Sequence, residues 1–232
     1  MAFSIPRSVL IVAAHPDDEV LGCAGTVAKW VRAGATAHVL VLGEGETARH
    51  ATRAVGLAQH AVVDGLQAAA QGAAAALAVA SVRVLDFPDN RFDTVPLLDI
   101  AKAVEAAVAE HRPDTILTHH RGDLNVDHRA TFAAVLTACR PLPGMCVRTI
   151  LSFETPSATE WNSPAAFAPT LFVDITDTLA TKHEALRHYE REMRPFPHPR
   201  SHEAIDALAC WRGATAGLRA AEAFEVVRII AS

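Results

Sequence analysis

Aromatic side chains are scarce in this sequence: they make up 6% of its 232 residues, with a single tyrosine. A core with so few of them must be filled by Ala, Val and Leu, which fits a chain that is 50% hydrophobic. Cysteine is also scarce. Cys23, Cys139, Cys146 and Cys210 stand far apart with no C-x-x-C pair, which speaks against a thiolate metal ribbon or a disulfide framework and for reduced thiols. Positive charge is short as well, and a formal net charge of -5 argues against nucleic acid or an anionic membrane surface as the main partner. No run is long and apolar enough to span a bilayer. The nearest candidate, Ala68–Ala80, is alanine-rich, carries Gln71 and Gly72, and favours helix over disorder. A dinucleotide fingerprint is missing too: Gly43-Glu44-Gly45-Glu46 lacks G-x-G-x-x-G and would turn two acids toward a phosphate. Met1-Ala2-Phe3-Ser4 leads almost at once into an apolar run and leaves no room for a signal peptide, so a cytoplasmic location without membrane insertion is expected.

What is present is a strand–helix alternation. Apolar runs at Val9–Ala14, Ala37–Leu42, Ser81–Phe87, Asp114–Thr118 and Arg148–Phe153 read as strands. Helical patterns at Ala24–Ala33, Arg49–Asp64, Leu97–His111 and Asp127–Cys139 separate them. Such repetition predicts an α/β fold: a Rossmann-like, mainly parallel sheet with helices on both faces, linked by right-handed crossovers. Beyond Phe153 the texture changes to a long loop over 155–170, a strand at Leu171–Asp174 and a helix at Thr178–Arg191. A proline-rich connector, Pro195–Pro199, is followed by two helical segments, one opening near Ser201 and Glu203 and one ending near Glu222. A terminal strand, Glu225–Ile230, completes these C-terminal additions. The length suits one domain over 1–232.

Two polar clusters stand at strand ends, where open α/β sheets place their ligands. His15-Pro16-Asp17-Asp18-Glu19 follows the first strand, and His119-His120-Arg121-Gly122-Asp123-Leu124-Asn125-Val126-Asp127-His128 follows the fourth. Clusters at the ends of different parallel strands can converge on one pocket. His15 and Asp18, three apart at a strand-to-helix turn, can point the same way, and His128 supplies a third donor. Two imidazoles and one carboxylate hold Zn²⁺ with an open position for water; Fe²⁺ accepts the same set. A spare carboxylate beside them could take a proton from that water. Glu19 reads as support, either to the helix dipole or to His15, and Asp127 as an N-cap or a partner of a ligand.

The motif A-H-P-D-D-E after the first strand, with D-H-R opening a later helix, resembles the PIG-L/LmbE-like zinc-dependent N-deacetylases. Phe87-Pro88-Asp89-Asn90, the segment Gly122–Arg129 and Pro197-His198-Pro199-Arg200-Ser201 extend the resemblance over most of the chain. The resemblance implies a zinc hydrolase that removes an N-acetyl or N-acyl group from an N-acetylglucosamine-type amino sugar or its conjugate. His15, Asp18 and His128 would be the metal ligands and Asp17 the general base toward a metal-activated water. Many relatives have H-P-D-H where this chain has Asn125-Val126-Asp127-His128, so the usual His is replaced by Asn125, which has no useful acidity. Protonated Asp17, His120 and His198 are the substitutes for the proton donor, with Asp17 shuttling the proton and His120 assisting as the favoured pair. On the substrate side the resemblance points to Asp89 for vicinal hydroxyls and Arg53, with Arg49 as competitor, for an anchoring contact. Asn125, His198 and Arg200 are further candidates for the pocket wall. Asp89 also fits an ordinary turn and Pro197–Pro199 a plain connector. Two other readings are an amidase for a larger glucosamine conjugate and a non-catalytic metal- or sugar-binding relative. A homo-oligomer is expected from the family.

Overall fold

The computed structural model describes residues 4–163 and 166–231, so Met1–Phe3, positions 164 and 165 of the long loop and Ser232 lie outside the described residues. Its strands are β1 (Ser8–Ala13), β2 (Thr36–Gly43), β3 (Ser81–Phe87), β4 (Thr115–His119), β5 (Thr149–Phe153), β6 (Leu171–Asp174) and β7 (Ala221–Ile229). Its helices are α1 (Asp18–Arg32), α2 (Arg53–Leu57), α3 (His60–Ala76), α4 (Leu97–His111), α5 (Val126–Ala138), α6 (Leu179–Arg187) and α7 (His202–Thr215). The strands form one sheet in the order β3-β2-β1-β4-β5-β7-β6. Strands β1 to β5 pair in parallel, and β7 runs antiparallel to both of its neighbours. This is the expected mainly parallel α/β architecture. The order reverses between β1 and β4, and the two polar clusters lie at the carboxyl ends of those two strands, at a topological switch point.

The apolar run of β1 serves both faces, as a central strand must. Val9, Ile11 and Ala13 pack with Cys23, Val27 and Trp30 of α1. Leu10 and Val12 pack with Ile100 and Val104 of α4 and Ala134 and Val135 of α5. An outer helical layer joins Val20, Leu21 and Ala24 of α1 to Ala70 and Ala73 of α3 and Ala185 and Leu186 of α6. The alanine-rich tract is thus a close-packing helix face, which explains how so few aromatics suffice.

Several boundaries differ from the sequence reading. The first helix begins at Asp18 rather than Ala24, so the acidic cluster forms its first turn. The predicted helix Arg49–Asp64 is divided into a 3-10 turn at Thr47–Arg49, α2 and the start of α3. The predicted helix Thr178–Arg191 closes at Arg187. The two late helical segments are one helix, and Ala221-Glu222-Ala223 belongs to β7: pairing with β6 overrides the helical propensity of alanine.

An ion pair fastens α1 to these C-terminal additions. Lys182 Nζ lies 2.7 Å from Glu222 Oε1 and also donates to the Leu21 carbonyl at 2.8 Å. Glu222 accepts from the backbone N–H groups of Gly25 and Thr26 at 3.0 and 2.7 Å. Both side chains are buried, so neither can lose its partner to water. Replacing Lys182 by Met should cost about 3–5 kcal/mol, the usual penalty for stranding one member of a buried pair. Urea denaturation measures this, and a loss below about 1 kcal/mol would show that the pair contributes nothing.

Candidate metal centre

Only four residues separate Ala13 of β1 from Asp18 of α1. The last of them, Asp17, has φ 112°, a backbone region that side chains seldom adopt. Glu19 holds it there. Glu19 Oε2 accepts from the Asp17 amide at 3.1 Å, and Oε1 accepts from the Tyr189 hydroxyl at 2.7 Å. Burial pushes the Glu19 carboxyl up to about 7, against the pull of those hydrogen bonds.

The turn directs the Asp18 carboxylate inward. Its Oδ2 lies 3.3 Å from His15 Nδ1, 3.3 Å from His128 Nε2 and 3.5 Å from His119 Nε2, and all four residues are buried. A charge-assisted hydrogen bond would be shorter, about 2.7–2.9 Å. Metal–ligand bonds of about 2.0–2.1 Å in tetrahedral arrangement instead hold donor atoms roughly 3.3 Å apart. Asp18 Oδ1 and His128 Nε2 also lack a hydrogen-bond partner among the described residues. Ligand atoms of His15, Asp18 and His128 lie within 4.8 Å of one another. Geometry and donor chemistry therefore both suit a divalent ion.

Two further trios meet the same spacing, His119–Asp123–His128 and His15–Asp89–Asp127, but His119 and their three carboxylates are already engaged in hydrogen bonds. His119 Nε2 accepts the Ala14 amide at 2.9 Å, so its proton sits on Nδ1, 3.2 Å from Thr155 Oγ1. Burial, aided by the neighbouring His128, lowers His119 to about 3 and keeps it neutral. Its ring stacks on His128 at 3.9 Å. His15 Nε2 pairs with Asp127 Oδ2 at 2.9 Å, while Asp127 Oδ1 accepts the Phe92 amide at 2.8 Å. This contact turns His15 Nδ1 toward Asp18, as carboxylates do for ligating imidazoles. On the other side His128 Nδ1 stands 3.2 Å from Asp123 Oδ1, and Thr159 donates to Asp123 Oδ2 at 2.6 Å.

The site favours positive charge. Burial opposes protonation of His128, yet Asp18 and Asp123 push it up to about 9. His15 is likewise raised, its burial outweighed by Asp127, Asp18 and Asp89. Burial works to raise Asp18, but His128, His119 and His15 hold it well below the usual carboxylate range. A cation entering here displaces protons, which makes its affinity pH-dependent.

Beside this trio lies a cavity of about 110 Å³ lined by Asp17, Arg49, Asp89, Asn125, Glu192 and Arg200, among others. Arg200 Nη1 donates to Asp17 Oδ2 at 2.6 Å, and its Nε donates to Ser157 Oγ at 2.8 Å. Asp17 Oδ1 has no partner among the described residues. Burial pushes the Asp17 carboxyl up to about 8 despite the guanidinium beside it. Asp89 Oδ2 accepts the Ala48 amide at 3.1 Å, and its Oδ1 is 3.3 Å from His15 Nε2. Asn125 caps α5, accepting the Asp127 amide at 2.8 Å, and its Nδ2 donates to Asn90 Oδ1 at 3.0 Å.

Three residues singled out from the sequence are not brought to this cavity. Arg53 reaches Glu44 and the Asp86 carbonyl instead, and Arg49 lines the cavity in its place, forked onto Glu192. His198 Nδ1 accepts the Arg200 amide at 3.1 Å, so it shapes the segment that carries Arg200. His120 follows His119 at the strand end and turns the other way, to Glu225 Oε2 at 3.0 Å and the edge of Phe167. Glu192 and Tyr189 escaped the sequence reading. They lie within one predicted helix and its end, where no motif distinguishes them from an ordinary surface turn.

The family model described as "PIG-L: GlcNAc-PI de-N-acetylase" matches residues 10–139, more than half of the chain. A curated Escherichia coli (strain K12) protein described as the uncharacterized deacetylase YaiS is 27% identical over 183 residues, 75% of this chain and 85% of that one. GalB, the 4-carboxy-2-hydroxymuconate hydratase from Pseudomonas putida KT2440, superposes with a TM-score of 0.76 at 24% identity, covering 97% of this chain and 98% of that one. The N,N'-diacetylchitobiose deacetylase from Pyrococcus horikoshii superposes with a TM-score of 0.75 at 20% identity, covering 96% and 84%. Both structural likenesses are likenesses of fold. The matched segment contains both polar clusters and the strands that bring them together, and the chain belongs to the PIG-L, GlcNAc-PI de-N-acetylase, family.

Proposed function

We propose that this protein is a metal-dependent hydrolase that removes an N-acetyl or N-acyl group from an amino sugar of the N-acetylglucosamine type or from its conjugate. The reading is carried by one observation: three ligand atoms share the spacing of a metal site, and Asp17, adjacent to one of the three residues, lines the cavity that His15 also lines. His15, Asp18 and His128 would hold Zn²⁺, and Fe²⁺ suits the same donors. The ion would supply Lewis acidity toward the acyl oxygen and acidify a water molecule.

The protein groups have separate tasks. Asp17 takes the proton of the attacking water at Oδ1, while Arg200 keeps Oδ2 fixed and Glu19 keeps the backbone turn fixed. Asn125 is neutral and spends its carbonyl oxygen on the helix cap. His120 points to Glu225 and Phe167. The return of the proton to the departing nitrogen is therefore assigned to Asp17. Asp89 stands where it can bind hydroxyl groups of the sugar. One fold serves a hydratase and a deacetylase among the structures compared, so fold alone does not choose the chemistry. An acyl-sugar panel chooses it, and release of acetate in step with metal content supports amide hydrolysis. Cleavage confined to larger glucosamine conjugates would narrow the substrate to those. Bound metal without hydrolysis of any of them would make the protein a binding module.

Asp17→Asn should lower kcat by about 10²–10⁴-fold with the metal still bound; activity within threefold of wild type would remove Asp17 as the base. Tyr189→Phe should leave a buried Glu19 oxygen unpaired at about 1–3 kcal/mol. Because Glu19 steers Asp17, kcat should fall while KM and metal content hold. A fall in stability alone, with kcat unchanged, would reduce Tyr189 to a packing residue. Chelation should abolish turnover and lower Tm by several degrees, reversibly on adding Zn²⁺, because only the folded state assembles the ligands. A Tm indifferent to both chelator and Zn²⁺ would contradict the ligand assignment.

A further inference from the structure

A second cavity lies against the first. It measures about 280 Å³; Val62, Leu66 and Ala69 of α3 and Tyr189 beyond α6 make its apolar wall, and Glu46, His188 and Arg191 also line it. Arg49 and Glu192 line both cavities, so this ion pair is the partition between them. Leu66 is close to the metal side as well: a Cβ on Gly45, which lines the first cavity, would stand 3.6 Å from Leu66 Cδ1. The second is more than twice the volume of the first and has room for a chain of several methylenes.

The Arg49 side chain is 45% exposed and can swing into water, whereas both carboxylates it holds, Glu46 and Glu192, are buried. Each would keep a second partner: Glu46 has His50 Nε2 at 2.9 Å, and Glu192 would share Arg200, 4.0 Å away, with Asp17. We propose that Arg49 is a door and that the cavity behind it receives the aliphatic tail of acyl groups longer than acetyl. This proposal rests on the hydrolase reading above for its substrates, while the cavity can be probed by binding alone.

The test compares hydrolysis of N-acetyl- and N-octanoyl-glucosamine by the zinc-loaded protein, alongside calorimetric binding of acetate and octanoate. Wild type should cleave the octanoyl substrate with kcat/KM at least equal to that for acetyl, and bind octanoate at least tenfold more tightly than acetate. Leu66→Trp, which fills the cavity, should lower kcat/KM for the octanoyl substrate at least tenfold and leave the acetyl value within twofold. It should also bring octanoate binding down to that of acetate. Ala69→Phe serves the same purpose should the Trp variant not fold. Octanoate bound no more tightly than acetate by wild type, or equal loss of both substrates in a folded variant, overturns the proposal. Failure to cleave either amide or any larger glucosamine conjugate would instead overturn the hydrolase reading, and the contrast between octanoate and acetate would still decide the cavity.

Discussion

Oδ2 of Asp18 is the point on which the site converges. It accepts the His15 amide at 2.9 Å and faces imidazole nitrogens delivered by the ends of β1 and β4 and by α5. An ionised oxygen buried among three imidazoles is costly unless something positive sits with it, either shared protons or a cation. Everything nearby can be understood as fixing which nitrogen each ring presents. Asp127 orients His15, a backbone amide occupies His119, and Asp123 backs His128. The sheet order brings these pieces together, since the reversal between β1 and β4 opens the crevice in which they meet.

A strained turn makes that oxygen available. Asp17 at φ 112° lets the chain pass from strand to helix in four residues while its own carboxylate faces the cavity and the next one faces the rings. Strain of this kind, on the order of 1–3 kcal/mol, persists only where the surroundings over-determine it. Here Glu19 and Tyr189 do so. The lone tyrosine of a chain poor in aromatics thus sits where its hydroxyl reaches the turn.

How much of this was legible in the sequence depends on distance along the chain. The parallel sheet, the location of both polar clusters and the grouping of His15, Asp18 and His128 could be read because each rests on a strand end and a short local motif. Asp127 could be read as a ligand's partner, but which ring it served could not. The long-range partners were hidden. Glu192 and Tyr189 meet Arg49, Arg200 and Glu19 through packing of α6 on α1 and α3, and packing leaves no local pattern. The family resemblance points to Arg53 with Arg49 as competitor, and nothing local separates them, since the 3-10 turn that aims Arg49 has no sequence signature distinct from the helix after it. The Ala-Glu-Ala of β7 misled for a related reason: its preference is helical, and only its sheet neighbours make it a strand.

The clamp formed by Lys182 and Glu222 has a broader consequence. It bonds to backbone groups in the middle of α1, the helix whose first turn carries Asp18, and so joins that helix to β7. The groups that would do chemistry stand on this rigid frame. Those that would recognise a substrate, Arg49 and Asp89, come from connecting segments outside it. Substrate range can therefore drift by exchange of connectors while the reactive groups keep their places, a division that lets one scaffold be retuned for new compounds without being rebuilt.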